Sequence, residues 1–517
     1  MKILVFSDVH IGGKFNEEMF LKGVDLINNT DADFYIFAGD LTDQGTLQEY
    51  KLVTEKYLPM IKKPILLIPG NHDVKNVGDL LWEEYIGPRY FVHSDEKLKV
   101  KLLGLDSNEP DMNTGRIGER GIKRIYKEFS NLPPGWKKIL VFHHQTLPIK
   151  YTGRERSAIT DAGDVIKAIL DCDVDIVING HRHISNVYQL ADSDYTTLVV
   201  NCGTMSCKKT RYKEEYTLTL IDFEDNHAEV DIIQLNSKMK TVTRFKGRKN
   251  MDIAPENIKE EGTLISRIIQ IGNTEFSDSE FQSETFAKMI GIVNVMSCDV
   301  VVHCGDVTDS SKLDEFSMSK IFLGMIQHPL LIVPGPKDYY PLGQELFRKL
   351  YLTTNPEMDV GKLRILGFNT CILEDKIGRL GRSSMRYLKN RFDQTDLISV
   401  VAFHHNIIPL ARTKHESELQ DAGDVLDFLV KERVQLVLTG AKNTSGTWKV
   451  GDTIISNCGT ASSDKIVNSK GNSFNIIEIY EYVKDTVNYL VVVVKEYFIL
   501  SDTIETIGKF IITKKVA

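Results

Sequence analysis

Short apolar runs alternate with longer stretches of helical period along this chain. Ile3–Phe6, Tyr35–Phe37, Ile65–Ile68 and Leu140–Phe142 are wholly apolar, and polar, glycine or proline residues follow soon after each. Runs this short, rich in β-branched and aromatic residues and bounded by turn-formers, read as buried strands. Ala162–Leu170 has the spacing of a helix with one apolar face, and it stands just ahead of the next strand-like run, Asp175–Asn179. The alternation predicts an α/β layered fold with strands covered by helices. The turn after each run then lies at a strand's C-terminal edge, where such sheets place their chemistry.

The pattern occurs twice. "YIFAGDLTD" at Tyr35 returns as "VVHCGDVTD" at Val301, and "ILLIPGNHD" at Ile65 returns as "LLIVPGPKD" at Leu330. "LVFHHQTLP" at Leu140 matches "VAFHHNIIP" at Val401. "ITDAGDVIKAIL" at Ile159 matches "LQDAGDVLDFLV" at Leu419, and "VVNCGT" at Val199 matches "ISNCGT" at Ile455. Five matches in one order, with offsets that drift only by small insertions, predict a tandem duplication of one domain. The polar stretch 246–262, with Pro255 and Gly262, reads as a linker. The expected organisation is a first domain over 1–245, the linker, and a second domain over 263–517 ending in a β extension.

Composition narrows the class. At 517 residues the chain is too long for one hydrophobic core. Its 42% hydrophobic and 26% charged content exclude a disordered or fibrous protein. A net charge of −8 lacks the bulk positive charge of a protein that lives on nucleic acid. Met1-Lys2 leads directly into an apolar run, leaving no room for a signal peptide, and Leu490–Val494 is too short to span a bilayer. Seven cysteines without a C-x-x-C pair fit free thiols in a cytoplasmic protein.

The strand ends of the first copy carry metal-ligand residue types. They are Asp8 and His10, Asp40 with Asp43, Asn71-His72-Asp73, His143-His144, and His181-Arg182-His183. Mixed carboxylate, amide and imidazole donors suit borderline divalent ions such as Mn²⁺, Fe²⁺ or Zn²⁺. There are more donors than one ion needs, so two ions sharing a carboxylate are expected.

D-x-H, G-D-x-x-D, G-N-H-D, a histidine after a strand and G-H-x-H, in this order, resemble the calcineurin-like metallophosphoesterase superfamily over about residues 1–235. The resemblance implies two tandem four-layer αββα sandwiches. It implies one ion held by Asp8, His10, Asp40 and His183, and another by Asp40, Asn71, His143 and His181, with Mn²⁺ the first expectation and Fe or Zn the alternatives. Water activated between the ions would attack phosphorus, and His72 would protonate the leaving group. Asp43 would orient His72; Asn71, His72 and Arg182 would touch the substrate. His144 is expected beside the ligands. The wording of "GDLTDQGTLQEY", "PGNHD" and "HHQTLP" is most similar to cyclic-nucleotide-type phosphodiesterases, so a metal-dependent phosphodiesterase acting on a small phosphoester or nucleotide is expected. A DNA or RNA nuclease and a phosphomonoesterase are the alternatives. For the nuclease, the basic stretch Lys238, Lys240, Arg244, Lys246, Arg248 and Lys249 is the feature in favour. No membrane partner is expected, and a homo-oligomer is left open.

The second copy lacks most of this set. Register by sequence sets Asp8 and His10 against Gly272 and Thr274, Asn71 and His72 against Pro336 and Lys337, and His181 and His183 against Ala441 and Asn443. Asp306, Asp309 and His404 persist. One carboxylate and one imidazole cannot build a dinuclear site, so this copy is expected to be non-catalytic, with Lys337 supplying a fixed positive charge near Asp306.

Overall fold

A computed structural model describes the chain except residues 152–157, 194, 213, 237–238, 251–261, 394–395, 412–418, 485 and 515–517. Contacts divide it into two units, one built mainly from Met1–Leu190 and Tyr195–Asn250, the other mainly from Met251–Leu410 and Ser417–Ala517. Among the described residues no helix is long and apolar enough to cross a membrane.

In the first unit, β1 (Lys2–Phe6), α1 (Glu17–Asn29), β2 (Phe34–Ala38), α2 (Leu47–Leu52), β3 (Ile65–Ile68) and α3 (Gly78–Tyr85) come first. β1, β2 and β3 pair in parallel, and Phe34–Ala38 is buried along its whole length. Such a strand is covered on both faces and needs apolar residues at every position. The chain then forms β4 (Phe91–Asp95), β5 (Val100–Gly104), α4 (Gly118–Phe129), β6 (Lys137–Val141), α5 (Ala162–Asp171), β7 (Ile176–Asn179), β8 (Asn186–Ala191) and β9 (Thr196–Asn201). These strands make a second sheet in the order β4-β5-β6-β7-β9-β8. The chain returns to the first sheet as β10 (Thr217–Glu224), β11 (His227–Gln234) and β12 (Thr241–Arg248), giving the order β12-β11-β10-β1-β2-β3. Phe20, Val24 and Ile27 of α1 and Leu81 and Trp82 of α3 pack with Tyr35 and Phe37 of β2 in one buried cluster.

The second unit repeats this order. β13 (Thr263–Ile271), α6 (Ser283–Val295), β14 (Val300–Cys304), α7 (Leu313–Leu323), β15 (Leu330–Val333) and α8 (Gly343–Tyr351) are followed by β16 (Glu357–Val360), β17 (Leu363–Gly367), α9 (Gly381–Phe392), β18 (Ile398–Ala402), α10 (Ala422–Lys431), β19 (Leu436–Thr439), β20 (Gly446–Val450) and β21 (Thr453–Asn457). β22 (Ser473–Lys484), β23 (Val487–Phe498) and β24 (Thr503–Thr513) complete the sheet β15-β14-β13-β22-β23-β24. The two sheets of this unit share a core in which Val300 and Val302 meet Val400, Leu436 and Leu438. Each unit is thus an αββα sandwich.

One boundary differs from expectation. The stretch 246–262 is not linker throughout: Thr241–Arg248 is a strand, and Lys249 is buried with its ammonium 3.3 Å from Asp175. Residues 251–261 lie outside the described residues. The C-terminal β extension corresponds to β10–β12 lengthened to strands of 11 or 12 residues, against 8 in the first unit.

Candidate metal centre

Five strand ends converge at one point of the first unit. β1 delivers Asp8 and His10, β2 Asp40, β3 Asn71 and His72, β6 His143, and β7 His181 and His183. Asp8, His10, Asp40, His181 and His183 all have φ between 54° and 71°. This left-handed backbone costs a residue with a Cβ about 1–2 kcal/mol, so the surrounding bonds must impose it. Asp8 N–H donates to Gly39 O at 2.9 Å and His10 N–H to Asp40 O at 3.0 Å. Gly39 itself has φ 96°, and a Cβ there would collide with the His143 ring. Glycine is therefore required ahead of Asp40.

The side chains are held from behind and face a common point. Asp8 Oδ2 accepts from Ser7 Oγ at 2.6 Å and from His181 N–H at 3.1 Å, leaving Oδ1 forward, 3.1 Å from His183 Nε2. His143 Nδ1 donates to Ala38 O at 2.7 Å and His183 Nδ1 to Lys209 O at 2.6 Å, so both Nε2 atoms point inward. Asp40 Oδ2 lies 3.3 Å from His143 Nε2 and 3.4 Å from His10 Nε2. Asn71 Oδ1 is 2.9 Å from His181 Nδ1. Five of the seven expected ligand residues fall in three close groups, His10–Asp40–His72 and Asp40–His143–His181, which share Asp40, and His10–His183–Cys207; Asp8 and Asn71 join them through their contacts with His183 and His181.

Burial alone would raise the Asp40 carboxyl, yet the His143, His72 and His10 imidazoles hold it well below the usual carboxylate range. Burial opposes protonation of His10 and His143, but the Asp40 carboxylate pushes each up to about 9. Burial lowers His181 well below its ordinary value.

Asp8 Oδ1 and His143 Nε2, both turned toward the centre, are buried with no hydrogen-bond partner. Oxygen and nitrogen donors left unsatisfied in this way are costly unless something coordinates them. The donor set, carboxylate and amide oxygens with imidazole nitrogens, fits a borderline divalent cation.

Asp43 differs from expectation. The His72 ring is oriented by the main-chain carbonyl of Asp43, which accepts from Nδ1 at 2.6 Å; the carboxylate is 3.6 Å away. That carboxylate instead accepts from Lys14 at 2.8 Å and faces His10 Nδ1 at 3.5 Å. His72 Nε2 sits 3.2 Å from Lys75 Nζ, and burial with the neighbouring positive charges brings the imidazole down to about 4. His144 lies beside the centre, with Nδ1 bonded to Ser107 Oγ at 2.9 Å and its ring 4.4 Å from that of His181. Arg182 is buried and lines the cavity above the centre.

Several residues had no role assigned from the sequence. Asp73 accepts from the N–H groups of Leu41, Thr42 and Gly70 and ties the β2 and β3 turns together; burial and the Asp40 charge raise its carboxyl to about 6. It was visible as the last letter of G-N-H-D. Lys14, Lys75, Lys209 and Arg211 reach the cavity from loops with no motif to mark them.

The same place in the second unit corrects the expected register. Asn273 N–H donates to Gly305 O and Glu275 N–H to Asp306 O, as Asp8 and His10 do in the first unit. Asn273 and Glu275 also share their φ values near 50°. Glu275 and Asn273, not Thr274 and Gly272, therefore stand where His10 and Asp8 do. Lys337 N–H donates to Asp306 Oδ1 as His72 does to Asp40, and its ammonium reaches Glu275 and Asp309, each at 2.8 Å. His404 Nε2 is 3.7 Å from Asp306. Ala441 supplies no donor, and Asn443 Nδ2 meets Glu275 at 3.4 Å.

Residues 1–185 match the family model for calcineurin-like phosphoesterases. A probable glycerophosphodiester phosphodiesterase GpdQ of Arcobacter nitrofigilis is 32% identical over 165 residues, covering 29% of this chain and 58% of the relative. A probable cyclic nucleotide phosphodiesterase of Rhodococcus erythropolis is 28% identical over 178 residues, covering 33% and 58%. The chain thus spans 58% of the length of each. Among solved structures, the purple acid phosphatase PPD1 of yellow lupin aligns with a TM-score of 0.39 and 10% identity, over 64% of this chain and 69% of that one. The matched residues 1–185 hold every strand end of the centre.

Proposed function

We propose that the first unit is a divalent-metal-dependent phosphodiesterase. The observation that supports this best is that Asp8 Oδ1 and His143 Nε2 are buried without a hydrogen-bond partner beside the shared Asp40, against which His10 also turns its Nε2. Asp8, His10, Asp40 and His183 would hold one ion, and Asp40, Asn71, His143 and His181 a second; Mn²⁺ is the ion to load first. When bound, such ions activate water and neutralise charge on the phosphoryl group. Ser7, Ala38 and Lys209 keep the donors aimed through their bonds to Asp8, His143 and His183. His72, its Nδ1 proton fixed on the Asp43 carbonyl, presents Nε2 to the cavity and hands a proton to the departing oxygen. A substrate phosphoryl beside that ring raises its proton affinity from the low value it has alone. Arg182 contributes charge to substrate binding.

The phosphodiesterase names of the two relatives support diesters over monoesters. The basic stretch gives a nuclease little support: Lys246 pairs with Glu229, Lys249 is buried, and Lys238 lies outside the described residues. The second unit is a non-catalytic module, and we read the pair as a tandem duplication from the matched element order. Seven free cysteines accord with a cytoplasmic location.

The test is an activity panel of diesters, monoesters, RNA and DNA after chelation, with and without added Mn²⁺. Asp40→Asn should lose metal and turnover together. His72→Gln should keep its metal while losing ~10²–10⁴ in rate on alkyl diesters, and less on aryl diesters whose leaving group needs little proton help. Equal losses on both esters would remove His72 from the acid role, and monoester kcat/KM above every diester would overturn the substrate class.

A further inference from the structure

The cavity over the centre measures about 580 Å³, more than one phosphoryl group fills. Its charged lining is one-sided. Lys14, Lys75, Arg182, Lys209 and Arg211 face it, and Asp40 is its one carboxylate among the described residues. Lys14 is engaged with Asp43, and Lys75 lies against His72. Burial, with the like charges of Lys14 and Lys209, pushes the Lys75 ammonium below its usual range.

The second unit supplies an internal contrast. Lys208 N–H donates to Lys14 O, and Asp464 N–H to Glu280 O, which sets Lys209 and Lys465 at matching positions. Lys465 is neutralised at 3.1–3.4 Å by Glu275, Glu280 and Asp309. Among the described residues no carboxylate pairs with Lys209. Its carbonyl is bonded to His183, so the residue is anchored at the rim of the centre while its charge stays unneutralised. A cluster of cations around a cleft raises the local concentration of anions and lowers the energy of a bound one. A simple diester brings a single negative charge to the centre and leaves the Lys209 ammonium at the rim without an anion.

We propose that the substrate carries a second phosphate-type dianion beyond the ester that is cleaved, and that Lys209 and Arg211 bind it. The proposal rests on the phosphodiesterase reading and narrows it to phosphorylated diesters. Two charge-assisted contacts should be worth ~10- to 10²-fold in kcat/KM at a partly exposed rim.

Two esters with one leaving group test it: the p-nitrophenyl ester of thymidine 5′-phosphate, and the same compound carrying a 3′-phosphate. With the full chain loaded with Mn²⁺, the 3′-phosphorylated ester should be preferred by ~10- to 10²-fold. The preference should fall as salt rises and approach one in a Lys209→Ala/Arg211→Ala variant of unchanged metal content. A wild-type ratio near one, or a preference retained by the double variant, overturns the proposal while leaving the phosphodiesterase reading intact. No turnover of either ester, with or without metal, takes down that reading and this proposal with it.

Discussion

Replacing Lys337 with methionine tests whether a fixed ammonium holds together the place that, in the first unit, is built for cations. Glu275 is 1% exposed and accepts from Lys337 Nζ at 2.8 Å, from Ser463 Oγ at 2.8 Å and, more loosely, from Lys465 at 3.4 Å. Burial already raises the Asp306 carboxyl, with Glu275 adding to the rise and Lys337 and His404 opposing it. Removing one partner of a buried ion pair costs ~3–5 kcal/mol when the remaining charge has no other partner. Here Ser463 and the half-exposed Lys465 stay behind, so the expected loss is about 2–3 kcal/mol. Denaturant unfolding of the full chain, with hydrogen exchange of β13 and β14 as the local reporter, measures it. Adding Glu275→Gln removes the stranded charge and should restore at least ~1 kcal/mol, a coupling that a double-mutant cycle isolates. A Lys337→Met loss under ~0.5 kcal/mol, or no coupling to Glu275, would refute the reasoning.

Three further outcomes follow from the geometry. Metal analysis of the chain should approach two ions, and His404→Ala should leave metal content and turnover unchanged, because Pro336 and Ala441 stand where Asn71 and His181 do in the first unit; four tightly bound ions would contradict this. Gly39→Ala should abolish metal binding while the chain still folds, since the new Cβ collides with the His143 ring and φ 96° admits no side chain without strain; wild-type affinity in the variant would show that the turn yields. Burial opposes ionisation of Glu478, yet hydrogen bonds from Lys495, Arg267 and Tyr480 bring it down to about 2. Its contribution should be present above pH ~4.3 and lost as pH falls toward ~2, so the stability gap to Glu478→Gln, about 1–2 kcal/mol after screening, should close over that window; a gap that persists at pH ~2 would refute it.

The strands and the residues at their ends were legible because a parallel strand covered on both faces has to be an apolar run. Phe34–Ala38 could hide no polar position, and the change from Ala38 to Gly39-Asp40 marked both the strand's end and the chemistry. The helix at Ala162 was legible for the complementary reason, one apolar face at helical period. The cavity wall was not. Lys209 and Arg211 lie on a loop whose position depends on β9 and on the His183–Lys209 bond, a contact across 26 residues that no local pattern encodes. The linker was misjudged for a related reason: β12 is an edge strand with exposed positions throughout, so its polar alternation resembled a tether.

The one-residue error in the second unit shows what motif alignment by letters omits. With Asp8 and His10 both replaced, nothing in "QIGNTEF" marks which residue takes the left-handed turn. Backbone bonding decides it: Gly305 O and Asp306 O receive the N–H groups of Asn273 and Glu275. The correction changes the chemistry assigned to the site. In the expected register a threonine replaced His10 and Lys337 had only Asp306 to serve. In the observed one a second carboxylate, Glu275, is buried at the His10 position, and a buried carboxylate requires a cation. Without Lys337, Glu275 and Asp306 would repel each other in a water-poor interior, with only Lys465 and His404 opposing them. Lys337 is therefore matched to Glu275 as much as to Asp306, and the pairing supports the Asp306 turn in a unit that lacks the donors surrounding Asp40 in the first.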